Sequence, residues 1–284
     1  MMRLNAWADS KDPLKVAVQI SEDYRALFSD ATPDFVPRVF GWLMDAFEGR
    51  MLGYLPIDTS YHDLGHMLQG TLCLSQLLRG RALSGERPEL SRQTFELAII
   101  AVLLHDTGYL KKVSDPVGTG AKYTHVHVSR SCDFASDLLR AKGFLIDKIE
   151  AVQNMIRCTA MGVDIRTLRF ASEEERIAGY SVGTADLLGQ MAADDYVEKL
   201  PALFEEFEES RHFQGQAVGA FLSVEDLKLK TPRFWKNYVI PKIERDFEGV
   251  FRFLRWPEAD GENPYLARIE TNMVRLEAVQ AVSG

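Results

Sequence analysis

The chain has 284 residues, 46% hydrophobic and 26% charged, which supplies a sizeable core and an ordinary water-exposed surface. Its formal charge of −8 excludes the basic stripe that nonspecific nucleic-acid binding needs. A phosphorylated small molecule stays compatible, because a bound cation inverts the local charge.

Cys73, Cys132 and Cys158 are widely spaced with no CxxC, so they read as reduced thiols rather than a disulfide framework. The first residues hold no apolar signal segment, and no apolar run approaches the ~20 residues of a membrane span. A cytoplasmic protein without membrane contact is expected.

In chain order, Phe35 to Phe47 is predicted as a helix, with Phe35, Val36, Val39, Phe40, Leu43, Met44 and Phe47 spaced three and four apart. A loop from Gly53 to Ser60 leads into Tyr61-His62-Asp63-Leu64-Gly65-His66. Leu64 to Leu78 repeats the helical period through Leu68, Leu72, Leu74 and Leu77. His62 and His66, at i and i+4, are expected on one face of it. The apolar run Leu97 to Leu104 closes on His105-Asp106, and the loop Ser114 to Gly120 separates that pair from His125 and His127. Asp133 to Leu145 and Ile146 to Ile156 read as two further helices, with Gly143 as the stop between them. Ser172-Glu173-Glu174-Glu175 opens another helix as a capping box, placing acids at the positive end of its dipole. Pro232, Pro241, Pro257 and Pro264 punctuate the C-terminal helices. There, Phe234-Trp235-Tyr238 and Phe247, Phe251, Phe253 and Leu254 read as core. Alternating runs with Asn-Gly or Asp-Gly turns are absent, so one all-α domain over residues 1–284 is expected.

Imidazole and carboxylate are costly to bury unless paired or metal-bound, so His105-Asp106 at the end of an apolar helix points to a transition-metal site. Five of the six histidines fall between positions 62 and 127, which gives the pair company. Asp186 is the only carboxylate between Ser181 and Ala192, and an isolated buried carboxylate demands a cation. The small residues around it let its helix approach closely. Gln190 and Asp194 follow Asp186 by one and two turns and share its face, where one of them meets substrate or water. Arg130, Lys111, Lys112 and Lys122 are phosphate-binding candidates, Arg130 because guanidinium matches phosphate oxygens bidentately. His212 is expected to face solvent.

His66, His105-Asp106 and Asp186, in that order, resemble the H…HD…D signature of the HD-domain metal-dependent phosphohydrolases. The resemblance spans roughly residues 55–200 and leaves 1–54 and 201–284 as flanking helices. Tyr61-His62 followed by His66 is similar to the YHNxxH segment of cyclic-nucleotide phosphodiesterases. The resemblance implies an HD-domain helical bundle with additional N- and C-terminal helices. It implies that His62 donates the proton to the leaving oxygen and that His66, His105, Asp106 and Asp186 hold the metal. One or two divalent ions (Mn, Fe, Zn or Mg) are expected, with Asp106 as both bridge and catalytic group. His127 (with Ser131 after it) or His125 (with Ser129) completes a second site, His127 being favoured. Asp63 stands where the phosphodiesterases have asparagine, and Tyr109 replaces the histidine four positions after the HD histidine. No glutamine-and-phenylalanine purine clamp is evident, which argues against a cyclic nucleotide.

The implied activity is hydrolysis of a phosphoester, in a nucleotide or another small molecule, by a metal-activated water. Arg130, Gln190 and Lys112 are the substrate-binding candidates. An HD-type di-iron oxygenase and a non-catalytic HD regulatory module are the alternatives. A small phosphorylated partner is expected, with self-association left open.

Overall fold

A computed structural model describes residues 10–214, 221–255 and 261–283 of the protein. Its helices are α1 (Pro13–Leu27), α2 (Phe35–Phe47), α3 (Leu64–Ser84), α4 (Arg92–Leu104), α5 (His127–Ala141), α6 (Ile146–Arg157), α7 (Glu173–Met191), α8 (Tyr196–Gln214), α9 (Val224–Phe234) and α10 (Pro264–Ser283). Among the described residues there is no strand, so the chain is all-α. The one isolated bridge pairs Tyr54 with Lys112 and ties the loop before α3 to the loop after α4.

The helix ends follow local chemistry. Asp12 accepts from the backbone N–H groups of Leu14 and Lys15, with Pro13 at the first helical position of α1. Ser91 caps α4 through Thr94 N. Ser172 Oγ accepts from Glu175 N at 3.1 Å, as a capping box requires. The return arm differs, because Glu175 accepts from Ala171 N at 3.0 Å, one residue before the cap. Helix α5 starts at His127, well before the expected Asp133. It ends at Ala141, and the chain turns at Gly143 with φ +82 before α6.

Helix α4 lies at the centre. Every residue from Leu97 to Leu104 is at most 3% exposed, the pattern of a helix apolar all round. It packs against α2, α3, α6 and α7. The most extensive pairing joins α3 to α7, and glycines permit it. A Cβ on Gly189 would fall 2.9 Å from Gln69 O and from the Gly70 backbone, so the two helices touch main chain to main chain. That crossing lies one turn beyond His66 on α3 and one turn beyond Asp186 on α7. One continuous cluster of buried apolar side chains runs from Val16 in α1 to Leu276 in α10.

The proline-marked C-terminal region departs from regular helix. After α9 the chain forms two π-helical turns, Trp235–Val239 and Lys242–Asp246, then a 3₁₀ turn, Val250–Leu254. Pro232 and Pro241 each withdraw an N–H from the ladder, and wider bonds appear nearby: Ile240 N–H to Trp235 O and Phe247 N–H to Lys242 O. Trp235, Phe247, Phe253 and Leu254 are nonetheless buried, as expected of core. Pro264 opens α10, while Pro257 lies outside the described residues. Among the described residues, no helix is long and apolar enough to cross a membrane.

Candidate metal centre

Two helix ends and the middle of a third helix bring the ligand candidates together. His66 sits in the first turn of α3, His105 caps the C-terminus of α4 with Asp106 following it, and Asp186 comes from the middle of α7. His66 Nε2 lies 3.2 Å from Asp106 Oδ2 and 3.3 Å from Asp186 Oδ1. His105 Nε2 lies 3.3 Å from each of the same two oxygens. All four side chains are buried.

His66, His105 and Asp106 form a group whose ligand atoms all lie within 4.8 Å of one another and can hold a metal ion. Asp186 closes the ring by touching both imidazoles. His66 Nε2, His105 Nε2 and Asp106 Oδ2 are buried and make no hydrogen bond, a costly state for a polar atom. Metal–ligand bonds of ~2.0–2.2 Å give distances of roughly 3.0–3.5 Å between neighbouring ligand atoms, the spacing found here. The His105 ring is already oriented, since its Nδ1 is 2.7 Å from Val102 O, which leaves Nε2 to face the cluster.

The electrostatics agree. Burial pulls the pKa of His66 down, but the facing carboxylates of Asp106 and Asp186 override it and hold it at about 10. The same contest raises His105. Burial pushes Asp106 and Asp186 up, while the facing imidazoles hold both below the usual carboxylate range. The cluster therefore keeps its carboxylates ionised, and a binding cation displaces protons from the histidines.

His62 is close, but not by the expected route. Helix α3 begins only at Leu64, so His62 and His66 do not share a helical face. Asp63 is extended at φ −92 and ψ −179, and its Oδ1 accepts from His66 N at 2.9 Å as the N-cap. Asparagine would cap equally well. The His62 ring still reaches 5.4 Å from the His66 ring, centroid to centroid. Its Nδ1 lies 2.5 Å from Glu206 Oε2 on α8, and Glu206 Oε1 accepts from Tyr61 N at 2.6 Å.

Sequence reasoning missed Glu206, which sits in the acidic run Glu205 to Glu209. The available signal was its helical register. Glu206 falls three residues after Leu203 and four before the buried Ser210, on the inward side of α8.

His127 Nε2 lies 3.6 Å from Asp106 Oδ1, and its Nδ1 faces Thr124 O at 2.5 Å. Burial lowers its pKa against the opposing charge of Asp106, which favours a neutral, ligating imidazole. Tyr109 stacks on His62 at 4.7 Å and on His127 at 4.9 Å. Asp106 thus turns Oδ2 toward His66 and His105 and Oδ1 toward His127.

A family model described as Npun_R2479-like matches residues 15–256. The chain belongs to that family. No curated protein matches it. The span shared with the Npun_R2479-like family includes every residue of the centre, from Tyr61 to Glu206.

Other candidates are placed elsewhere. His125 is exposed on the turn before α5 and outside the cluster, and Lys112 is exposed at the isolated bridge. Arg130 is committed to the backbone after the HD pair. It donates to Gly108 O at 2.7 Å and Leu110 O at 2.6 Å and lies 3.5 Å over the Tyr123 ring. Lys111 and Lys122 are buried within the 114–120 loop, donating to Gly118 O and Val117 O at 2.6 Å each. Gln190 is at the centre, donating to Asp186 O at 3.0 Å and Oδ1 at 3.2 Å. Asp194 is exposed and pairs with Arg268, and His212 is exposed as expected.

Proposed function

We propose that this protein is a metal-dependent phosphohydrolase of HD-domain type, cleaving a phosphoester of a nucleotide or another small molecule. One observation carries the reading: a carboxylate-backed histidine, His62 on Glu206, stands one ring away from a buried two-histidine, two-carboxylate cluster. His66, His105, Asp106 and Asp186 would hold the cation, with Asp106 Oδ1 and His127 available to a second ion. When bound, the metal lowers the pKa of a coordinated water toward neutrality and neutralises charge on the phosphoryl oxygens.

The residues of the chain then divide the remaining work. Hydrolysis adds a water oxygen to phosphorus, breaks the phosphorus–oxygen ester bond and returns a proton to the departing oxygen. His62 is the proton source. Glu206 engages Nδ1, which orients the ring and leaves Nε2 for the leaving group. Tyr109 holds the His62 ring by stacking against it, and Tyr109 is itself stacked on His127. Helix α8 supplies Glu206 to this side of the cluster.

The test combines metal analysis of the purified protein with a panel of cyclic and noncyclic phosphoesters. His62→Ala should lose about 10²–10⁴-fold in rate while retaining its metal. The loss should shrink for a nitrophenyl phosphoester, whose leaving group needs little protonation. If His62→Ala empties the metal site, His62 is a ligand rather than the acid. Iron content with oxygen consumption and no phosphoester turnover would place the protein among the oxygenases instead.

A further inference from the structure

Asp186 reaches the cluster with one oxygen, and that oxygen is held from behind. Gln190, one turn later on α7, turns Nε2 toward Asp186 and donates both to its main-chain oxygen and to Oδ1. Oδ1 is the atom that lies 3.3 Å from both His66 Nε2 and His105 Nε2. An amide can flip, and the flipped amide would point Oε1 at two acceptors. The two Asp186 acceptors disfavour the flip, and the Tyr61 hydroxyl, donating to Gln190 Oε1 at 2.8 Å, anchors the far end of the amide in that orientation.

Tyr61 is itself held at both ends of its main chain. Its N–H donates to Glu206 Oε1 at 2.6 Å, and its carbonyl accepts from Lys199 Nζ at 3.0 Å. Both partners belong to α8. The same Glu206 carries His62, so a single chain of hydrogen bonds runs from the proposed acid through Tyr61 and Gln190 to Asp186.

We propose that Tyr61 and Gln190 are positioning residues that set Asp186 Oδ1 for the cation. Neither touches the ion. Tyr61 anchors the amide, and the amide aims the carboxylate. Hydrogen bonds behind a metal ligand are worth about 10–100-fold in metal affinity, so a residue this far from the ion still acts on it. The inference rests on the metal-centre reading above.

The test titrates full-length protein, stripped by a chelator, with zinc or manganese alone, and records the melting temperature of the stripped forms. Tyr61→Phe removes one hydroxyl, and Gln190→Met removes the amide at similar length. Each should weaken metal binding about 10–100-fold. The double variant should bind no more weakly than Gln190→Met, because the hydroxyl has nothing to orient once the amide is gone. Additive losses, or wild-type affinity in Tyr61→Phe, would overturn the relay, as would a fall in melting temperature with affinity unchanged. His105→Ala separates the two claims. If it loses the metal while Tyr61→Phe and Gln190→Met do not, the centre stands and the relay falls. If it keeps full affinity, the centre is misplaced and the relay falls with it.

Discussion

Replacing Gly189 by alanine tests whether the helix crossing builds the centre. The new Cβ would lie 2.9 Å from Gln69 O, Gly70 Cα and Gly70 N, all main-chain atoms that cannot swing aside. Carbon atoms pack at ~3.5–4.0 Å, so α3 and α7 must separate by roughly 0.6–1 Å. The overpacking costs about 1–3 kcal/mol, and alanine returns about 1 kcal/mol in helix propensity, leaving a net destabilisation of ~0–2 kcal/mol. Melting temperature should fall by only a few degrees. The effect on the centre should be larger, because the crossing is one turn from both His66 and Asp186 and ligand geometry tolerates only ~0.5 Å. Metal affinity, read by calorimetric titration, should drop about 10–100-fold. Gly179→Ala is the control on the same helix. Its Cβ would meet Phe170 ring atoms at 2.9 Å and Cys158 Sγ at 3.2 Å, side-chain ends remote from the cluster, so it should keep its metal. Wild-type affinity in Gly189→Ala, or an equal loss in Gly179→Ala, would refute the argument.

Two further outcomes are expected. Chelation should lower the wild-type melting temperature by about 5–10 °C when metal had been present at ~100 times its Kd, while Asp106→Ala should barely respond; an equal shift in both would show that Asp106 is not a ligand. His66 is raised from its ordinary value of 6.5 to about 10, so in the stripped protein its stabilising contribution is full below pH 6.5 and disappears as pH rises through about 10. A metal needs the neutral imidazole, so apparent affinity should climb across that same window, by up to about tenfold per pH unit for each proton released. A flat affinity between pH 6.5 and 9 would contradict the raised value.

Helices and ligand types were legible because their signals are local. The 3.6-residue period of Phe35 to Phe47 predicted α2 to its ends, and Ser172 with Glu175 marked the start of α7. His105-Asp106 and Asp186 stood out as polar groups in apolar segments, and desolvation makes such groups rare without a partner. That His66, His105-Asp106 and Asp186 meet was implied by the family resemblance, but the contacts that support them were not legible. Asp63 used its side chain to cap α3 and so kept His62 off the helix, a competition that periodicity does not record. Glu206 reaches His62 across 144 residues, and nothing in an acidic run says which of its members turns inward. The choice between His125 and His127 rests on Gly108. A Cβ there would fall 1.9 Å from His127 O, and Gly108 N donates to Ser131 Oγ at 2.8 Å, so α5 docks on the turn after Asp106 with His127 inward. Arg130, in the same docking, is spent on Gly108 O and Leu110 O instead of a phosphate. Most helices and the candidate ligand types were readable locally, since both arise from the intrinsic properties of neighbouring residues. Supporting partners such as Glu206 emerged only in the tertiary structure, because contacts between distant helices depend on how closely their backbones approach, and that is settled only when the whole core packs.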